Sequence, residues 1–261
     1  MDKNSENHAL RRALISLVIV VVFVVSATPA KAAGWDYDLF VYLWALGMDG
    51  TMTVRGQESD VDVPFSDIFD NLDLAFSTHL EARQRDGNWG WFFDVYWADL
   101  GKDFDKVVGN LDMQMAYVEA AGAYNTGRDF QLFFGFRYIS MDTTLEFDPQ
   151  IDPPIPPPVP IPTRFDASQS WTDLMVGGRY KKEFGERWRF YARGDVAGFG
   201  ISDSSDFTWN VVLMGQVMVS ARWGILFGYR WLDIDYVNEE DQFAMDLTQA
   251  GPVIAIGYSF H

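Results

Sequence analysis

Large and small residues alternate over the last stretch of the chain, Gln249 to Phe260. Pro252, Ile254, Ile256, Tyr258 and Phe260 fall on one face, and Val253, Ala255, Gly257 and Ser259 on the other. A period of two is the signature of a β-strand, here with one bulky apolar side and one side of small groups. Similar runs upstream predict strands near residues 72–85, 89–101, 109–124, 129–146, 165–181, 188–202, 207–220, 223–237 and 243–260, and Trp35 to Leu46 supplies a tenth. The connections are of two kinds. Arg85 to Asn88, Asn125 to Arg128, Phe184 to Arg187 and Ser220 to Arg222 have the Gly-rich or small-residue chemistry of tight turns. Those near 101–110, 143–167, 202–207 and 233–247 are long.

One region escapes this pattern. Gly47 to Gly50 can turn into the threonine-rich Gly50 to Arg55, Asp60 to Pro64 alternates, and Ser66 to Asp73 reads as a short helical turn with Ser66 as N-cap and Asp67 in its first turn. The pattern leaves open whether residues 47–71 form strand, loop or a plug folded inward. Residues 149–162 hold eight of the eleven prolines, which rules out a ladder strand and predicts an extended polyproline II loop. It reads as a stiff spacer; the other reading is a binding segment presenting its Ile and Val side chains.

The first thirty residues set the compartment. Lys3, Arg11 and Arg12 precede the apolar run Ala13 to Val25, and Ala30-Lys31-Ala32 follows in the small-residue position of a cleavage site. This is the layout of a secretory signal peptide, residues 1–32, with a single domain over 33–261. A membrane-spanning helix is the competing reading, but Ala13 to Ala27 is 15 residues and a bilayer needs about 20. Removing residues 1–32 takes away four basic and two acidic residues, leaving 16 against 35 and a net charge of −19. Nucleic acid is excluded as a partner on that charge. There is no cysteine, so thiolate metal sites and an N-terminal lipid anchor on cysteine are excluded too. No cofactor is implied.

Aromatic residues make up 16% of the chain, and Trp89, Trp188 and Trp223 each stand just after a short turn. They would form one interfacial girdle, with Trp97 and Trp231 eight residues further along the same faces. At about 3.3 Å per residue and a tilt near 40°, eight residues span roughly 20 Å, close to the apolar band of a membrane barrel. Short turns on one side and long loops on the other fit the same picture.

The closing strand, with its terminal aromatic Phe260 after alternating hydrophobic residues, resembles that of small bacterial outer-membrane β-barrel proteins; His261 follows it. The signal peptide and strand series extend the resemblance over nearly the whole chain. It implies an all-β fold, an antiparallel up-and-down transmembrane barrel of about ten strands, with eight to twelve allowed. It also implies a Gram-negative outer-membrane location, lipid and lipopolysaccharide as surroundings, the barrel assembly machinery as a partner during biogenesis, short turns in the periplasm and the 149–162 loop outside the cell.

With large apolar residues assigned to lipid, the other face reads out the lumen: Asp73, Ser77, His79, Glu81 and Arg83, then Asp94 and Tyr96, then Arg137, Asp173, Arg179, Arg189, Tyr191, Arg193, Asp195 and Arg230. A ten-stranded barrel is narrow enough for such side chains nearly to fill it, and buried arginines must then pair with carboxylates. If Asp86-Gly87 centres its turn, His79 stands opposite Asp94 and Ser77 opposite Tyr96, which allows a direct His79–Asp94 hydrogen bond; the other reading is a broader network in which Arg83 or another interior arginine takes Asp94. Ser77, His79 and Glu81 superficially compose a triad, but alternate residues of one strand stand about 7 Å apart, beyond the roughly 2.6–3.2 Å of proton transfer. The expectation is a structural or interaction barrel or a narrow porin-like channel, largely plugged by Arg–carboxylate pairs. A lipid-modifying or hydrolytic enzyme is the alternative. Acidic residues such as Asp233, Asp235, Glu239, Glu240 and Asp241 gather on the long-loop side, where divalent cations could bridge lipopolysaccharide phosphates; solvated loops are the plainer reading.

Overall fold

The computed structural model describes residues 34–66, 72–103, 109–127, 129–147 and 164–260. Twelve strands form one antiparallel sheet: β1 (Trp35–Trp44), β2 (Gly47–Val54), β3 (Gln57–Val63), β4 (Leu72–Gln84), β5 (Trp89–Asp103), β6 (Gly109–Asn125), β7 (Phe130–Phe147), β8 (Arg164–Phe184), β9 (Trp188–Gly198), β10 (Phe207–Met218), β11 (Trp223–Asn238) and β12 (Phe243–Phe260). The order runs β1-β4-β5-β6-β7-β8-β9-β10-β11-β12, and β1 pairs with β12, so ten strands close a barrel. Closure leaves these strands without a free edge, the condition for spanning lipid.

The undecided stretch 47–71 contributes a hairpin. β1 and β2 lie end to end along β12, with Tyr37–Trp44 against Phe260–Val253 and Gly47–Thr53 against Ala250–Ala244. β3 then folds back on β2. Arg55 (φ 53°) and Gly56 (φ 74°) are both left-handed, which makes the two-residue type I′ turn that matches strand twist. Residues 67–71, most of the expected helical turn, and 148–163, most of the proline loop, lie outside the described residues, as does the signal peptide.

The exterior is apolar. On β7 the even residues Leu132, Phe134, Phe136 and Tyr138 point out, and on β12 Ile254 and Ile256 are each 56% exposed while Val253 and Ala255 are buried. Trp89, Trp188 and Trp223 are exposed at the short-turn end. Trp97 differs from the expected girdle, being 6% exposed although it shares the outward face of Trp91. β9 stops at Gly198 rather than near 202, because Gly198, Phe199, Gly200 and Ser202 all take positive φ and turn the chain back toward the lumen.

Inside, the two halves differ. The long-loop half is packed with Met48, Met52, Met113, Met115, Ile139, Met141, Trp171, Leu232, Ile234, Met245 and Leu247, all buried. This revises the rule that bulk faces lipid. On β6 the bulky residues Met113, Met115 and Tyr117 point inward, on the face of Glu119, while Ala116 and Ala120 point out. Plugging is therefore apolar in one half and ionic only in the other. A narrow lumen that excludes water gains free energy from apolar side chains just as a soluble core does.

Candidate functional site

The polar face of the strands builds one connected layer across the middle of the lumen. Glu119 on β6 is at its centre, fully buried, with Arg137 Nε at 2.8 Å, Arg193 Nη2 at 2.7 Å and Arg230 Nη2 at 3.4 Å. Asp195 on β9 receives Arg137 Nη2 at 2.5 Å and Arg193 Nε at 2.8 Å, and Asn210 donates to it at 2.8 Å. Arg230 Nε donates to Asn210 at 3.0 Å, which ties β11 into the same network. Strand register explains the assembly: Asp94, Glu119, Arg137 and Asp173 are successive partners across β5, β6, β7 and β8. Buried charges survive only when paired in this way.

Toward the short turns the network continues. His79 and Asp94 are register partners, and His79 Nδ1 lies 2.9 Å from Asp94 Oδ2. The Tyr42 hydroxyl donates to Asp94 Oδ1 at 2.8 Å. Glu81 accepts from Arg179 Nη1 at 2.9 Å, and Arg179 Nε also donates to Gln131 at 2.9 Å. Arg83 donates to Asp38 at 2.6 Å, and Ser259 Oγ donates to the same carboxylate, linking the first strand to the last. Arg189 sits at the end of β9 with Nε 3.1 Å from Glu183. Tyr96 stacks on Tyr117 with centroids 5.5 Å apart, above the charged layer.

Asp173 has a different partner from its neighbours. It accepts from the backbone and hydroxyl of Ser205 at 2.8 and 2.9 Å and from Thr208 Oγ1 at 3.2 Å. It thereby holds the 199–206 loop inside the long-loop end. The side chain of Asp73 lies outside the described residues. Ser77 is not joined to His79: its Oγ is buried and has no hydrogen-bond partner among the described residues, while His79 is committed to Asp94.

Several members of the layer escape the sequence reading: Glu119, Tyr42, Asp38, Asn210, Gln131 and Gln249, whose amide hydrogen-bonds Tyr117. For Glu119 the signal was present. A carboxylate in phase with Met113, Met115 and Tyr117 cannot face lipid, so it assigns that face to the lumen.

Below the layer lies a cavity of about 210 Å³. Asn125, Asp129, Tyr180 and Lys181, next to short turns, line its mouth, and Tyr42, Asp94, Arg193 and Arg230 line its inner end. Phe40, Leu226, Val253 and Ala255 form one wall, and Glu81, Arg83, Gln131 and Arg179 the other.

At the opposite end the outer face is acidic. Asp49 pairs directly with Asp62, and Asp235 with Asp246, on the part of the sheet where outward residues are Asp, Glu and Thr and which extends beyond the apolar band. Among the described residues no three carboxylate or histidine side chains are grouped so as to hold a metal. Burial and then the charges of Asp246, Asp206 and Asp233 hold the Asp235 carboxyl above its ordinary range. The folded state therefore takes up this proton more readily than the unfolded chain. The resulting cost to stability is full above the folded pKa and fades as pH falls through it. Asp246→Asn is expected to stabilise the barrel by a few tenths of a kcal/mol at pH 8 and by nothing at pH 3. Urea midpoints of the refolded protein at the two values check this; an equal gain at both would remove the electrostatic cause.

Fold and interior together define a small, closed β-barrel with an apolar outer band and a lumen packed in its long-loop half. Neither a protein-family model nor a curated protein matches the chain. Among solved structures it is similar to the outer membrane protease OmpT from Escherichia coli, at 6% identity over 90% of this chain and 99% of that one, TM-score 0.47. It is similar also to Ail, the attachment invasion locus protein of Yersinia pestis, at 11% identity over 87% and 99%, TM-score 0.36. A Pseudomonas aeruginosa FadL homologue gives 8% identity over 87% and 90%, TM-score 0.40. Likeness at this level assigns no activity to the chain.

Proposed function

We propose that this protein is a non-conducting outer-membrane β-barrel, a structural or interaction component of the Gram-negative envelope, with its short turns in the periplasm and its long loops outside. The observation that carries the reading is the packed long-loop half of the lumen, where Met115, Ile139, Met141, Leu232, Ile234, Met245 and Leu247 are each at most 1% exposed. Water and ions need polar partners that this layer does not offer. The closed wall with exposed Leu, Ile and Phe supports a lipid setting, because a surface of that kind is incompatible with water. The absence of a Ser77–His79 contact supports a non-catalytic role over the hydrolytic alternative. Planar-bilayer recording is the test. The refolded protein is expected to give no stepwise current at any applied voltage, and reproducible ohmic steps would refute the sealed lumen.

A further inference from the structure

Every arginine of the charged layer has a carboxylate partner: Arg83, Arg137, Arg179, Arg193 and Arg230 meet Asp38, Glu81, Glu119 and Asp195, and Asp94 is held by His79. At the mouth, Asp129 is taken by Lys182 at 2.5 Å. Lys181 remains. Its side chain is half-buried and lines the cavity, and its ammonium lies 5.5 Å over the Tyr191 ring and makes neither a hydrogen bond nor an ion pair among the described residues. Lys181 is thus a cation at the cavity mouth without an ion-pair partner among the described residues, and Phe40, Leu226, Val253 and Ala255 line the same cavity.

We infer that this chamber is a binding site for a small aromatic monocarboxylate entering from the short-turn end, with its carboxylate on Lys181 and its ring against Phe40, Leu226 and Val253. The size fits such a ligand. A dry cavity of about 150 Å³ admits benzene, so about 210 Å³ holds a ring with a short acid side chain and excludes a phospholipid. The chemistry fits as well: the other charged groups of the lining are held in ion pairs, so an apolar wall together with the one cation free of an ion pair fixes both affinity and orientation. The inner end of the chamber is closed by the Arg193, Arg230 and Asp94 layer, so the ligand is held rather than passed on.

Calorimetry on the full chain, refolded in a non-ionic detergent, tests the site with 3-phenylpropionate as probe and 3-phenylpropanamide as its neutral counterpart. Saturable one-site binding of the acid is expected, with the amide at least tenfold weaker. Lys181→Met should weaken the acid at least tenfold and leave the amide unchanged. Ala255→Leu, which fills the chamber without touching the charge, should weaken both at least tenfold while the heat-modifiability of the barrel on a gel stays that of the parent. No saturable heat with the acid, equal binding of acid and amide, or an unchanged acid affinity in Lys181→Met would each overturn the proposal. The site does not depend on the sealed lumen: stepwise conductance accompanied by saturable acid binding would end the sealed-barrel reading and leave this one in place.

Discussion

Glu119→Ala is expected to destabilise the barrel by about 3–5 kcal/mol, the range for removing one partner of a buried ionic network. The residue is fully buried and its carboxylate faces Arg137, Arg193 and Arg230 together, so its loss leaves a surplus of positive charge in a buried layer. Asp195 can still hold Arg137 and Arg193, whereas Arg230 keeps, among the described residues, the neutral partners Asn210, Tyr42 and the Trp44 ring. Glu119→Gln should cost less, because the amide oxygen can still accept a hydrogen bond from an arginine and the packing volume is kept. Urea unfolding in lipid vesicles, followed by tryptophan fluorescence, measures both variants. A loss below about 1 kcal/mol for the alanine variant would mean that water reaches the layer, and the description of a dry ionic core would fail.

Trp171→Ala is the second substitution with a large expected effect, again about 3–5 kcal/mol. The ring is 3% exposed and lies flat on Tyr236, with centroids 3.8 Å apart and planes 4° apart. Its Nε1 donates to Ser205 Oγ at 2.7 Å, and that hydroxyl donates to Asp173. The indole is thus the lid of the apolar half and the anchor of the 199–206 loop at the same time. Its removal should release that loop, so protease cleavage near Phe199 and Ile201, both already exposed, is expected to accelerate along with the loss of stability. Destabilisation without faster cleavage at the loop would show that Trp171 acts through packing alone.

Much of the wall was legible in the chain. The register around Arg85 to Asn88 follows from turn length alone, and the structure pairs Ala82 with Trp91, Leu80 with Phe93 and His79 with Asp94 accordingly. A short turn leaves no freedom to slip, because a shift by one residue would turn every side chain to the wrong face. The site was less legible. β4 and the last part of β12, from Gly251 to Ser259, face the lumen with polar or small residues, so their alternation has a clear sign, whereas β6 carries methionines and Tyr117 inward against alanines outward, and bulk alone points the wrong way there.

The one-dimensional pattern thus determined an up-and-down series of about ten strands, their approximate limits, the alternation of short and long connections and the register that sets His79 opposite Asp94, since each depends on residues adjacent in sequence or joined through one tight turn. Only the tertiary structure decided which charges meet. Arg179 reaches Glu81 and Arg230 reaches Glu119 across the lumen, over 98 and 111 residues of sequence. Such contacts depend on closure, strand tilt and shear, which set the height of each inward residue relative to its neighbours around the wall. The same holds for the division into an apolar half and an ionic half and for the chamber beneath Arg193 and Arg230: they exist only where side chains from all sides converge on one enclosed volume, and no local periodicity encodes that convergence.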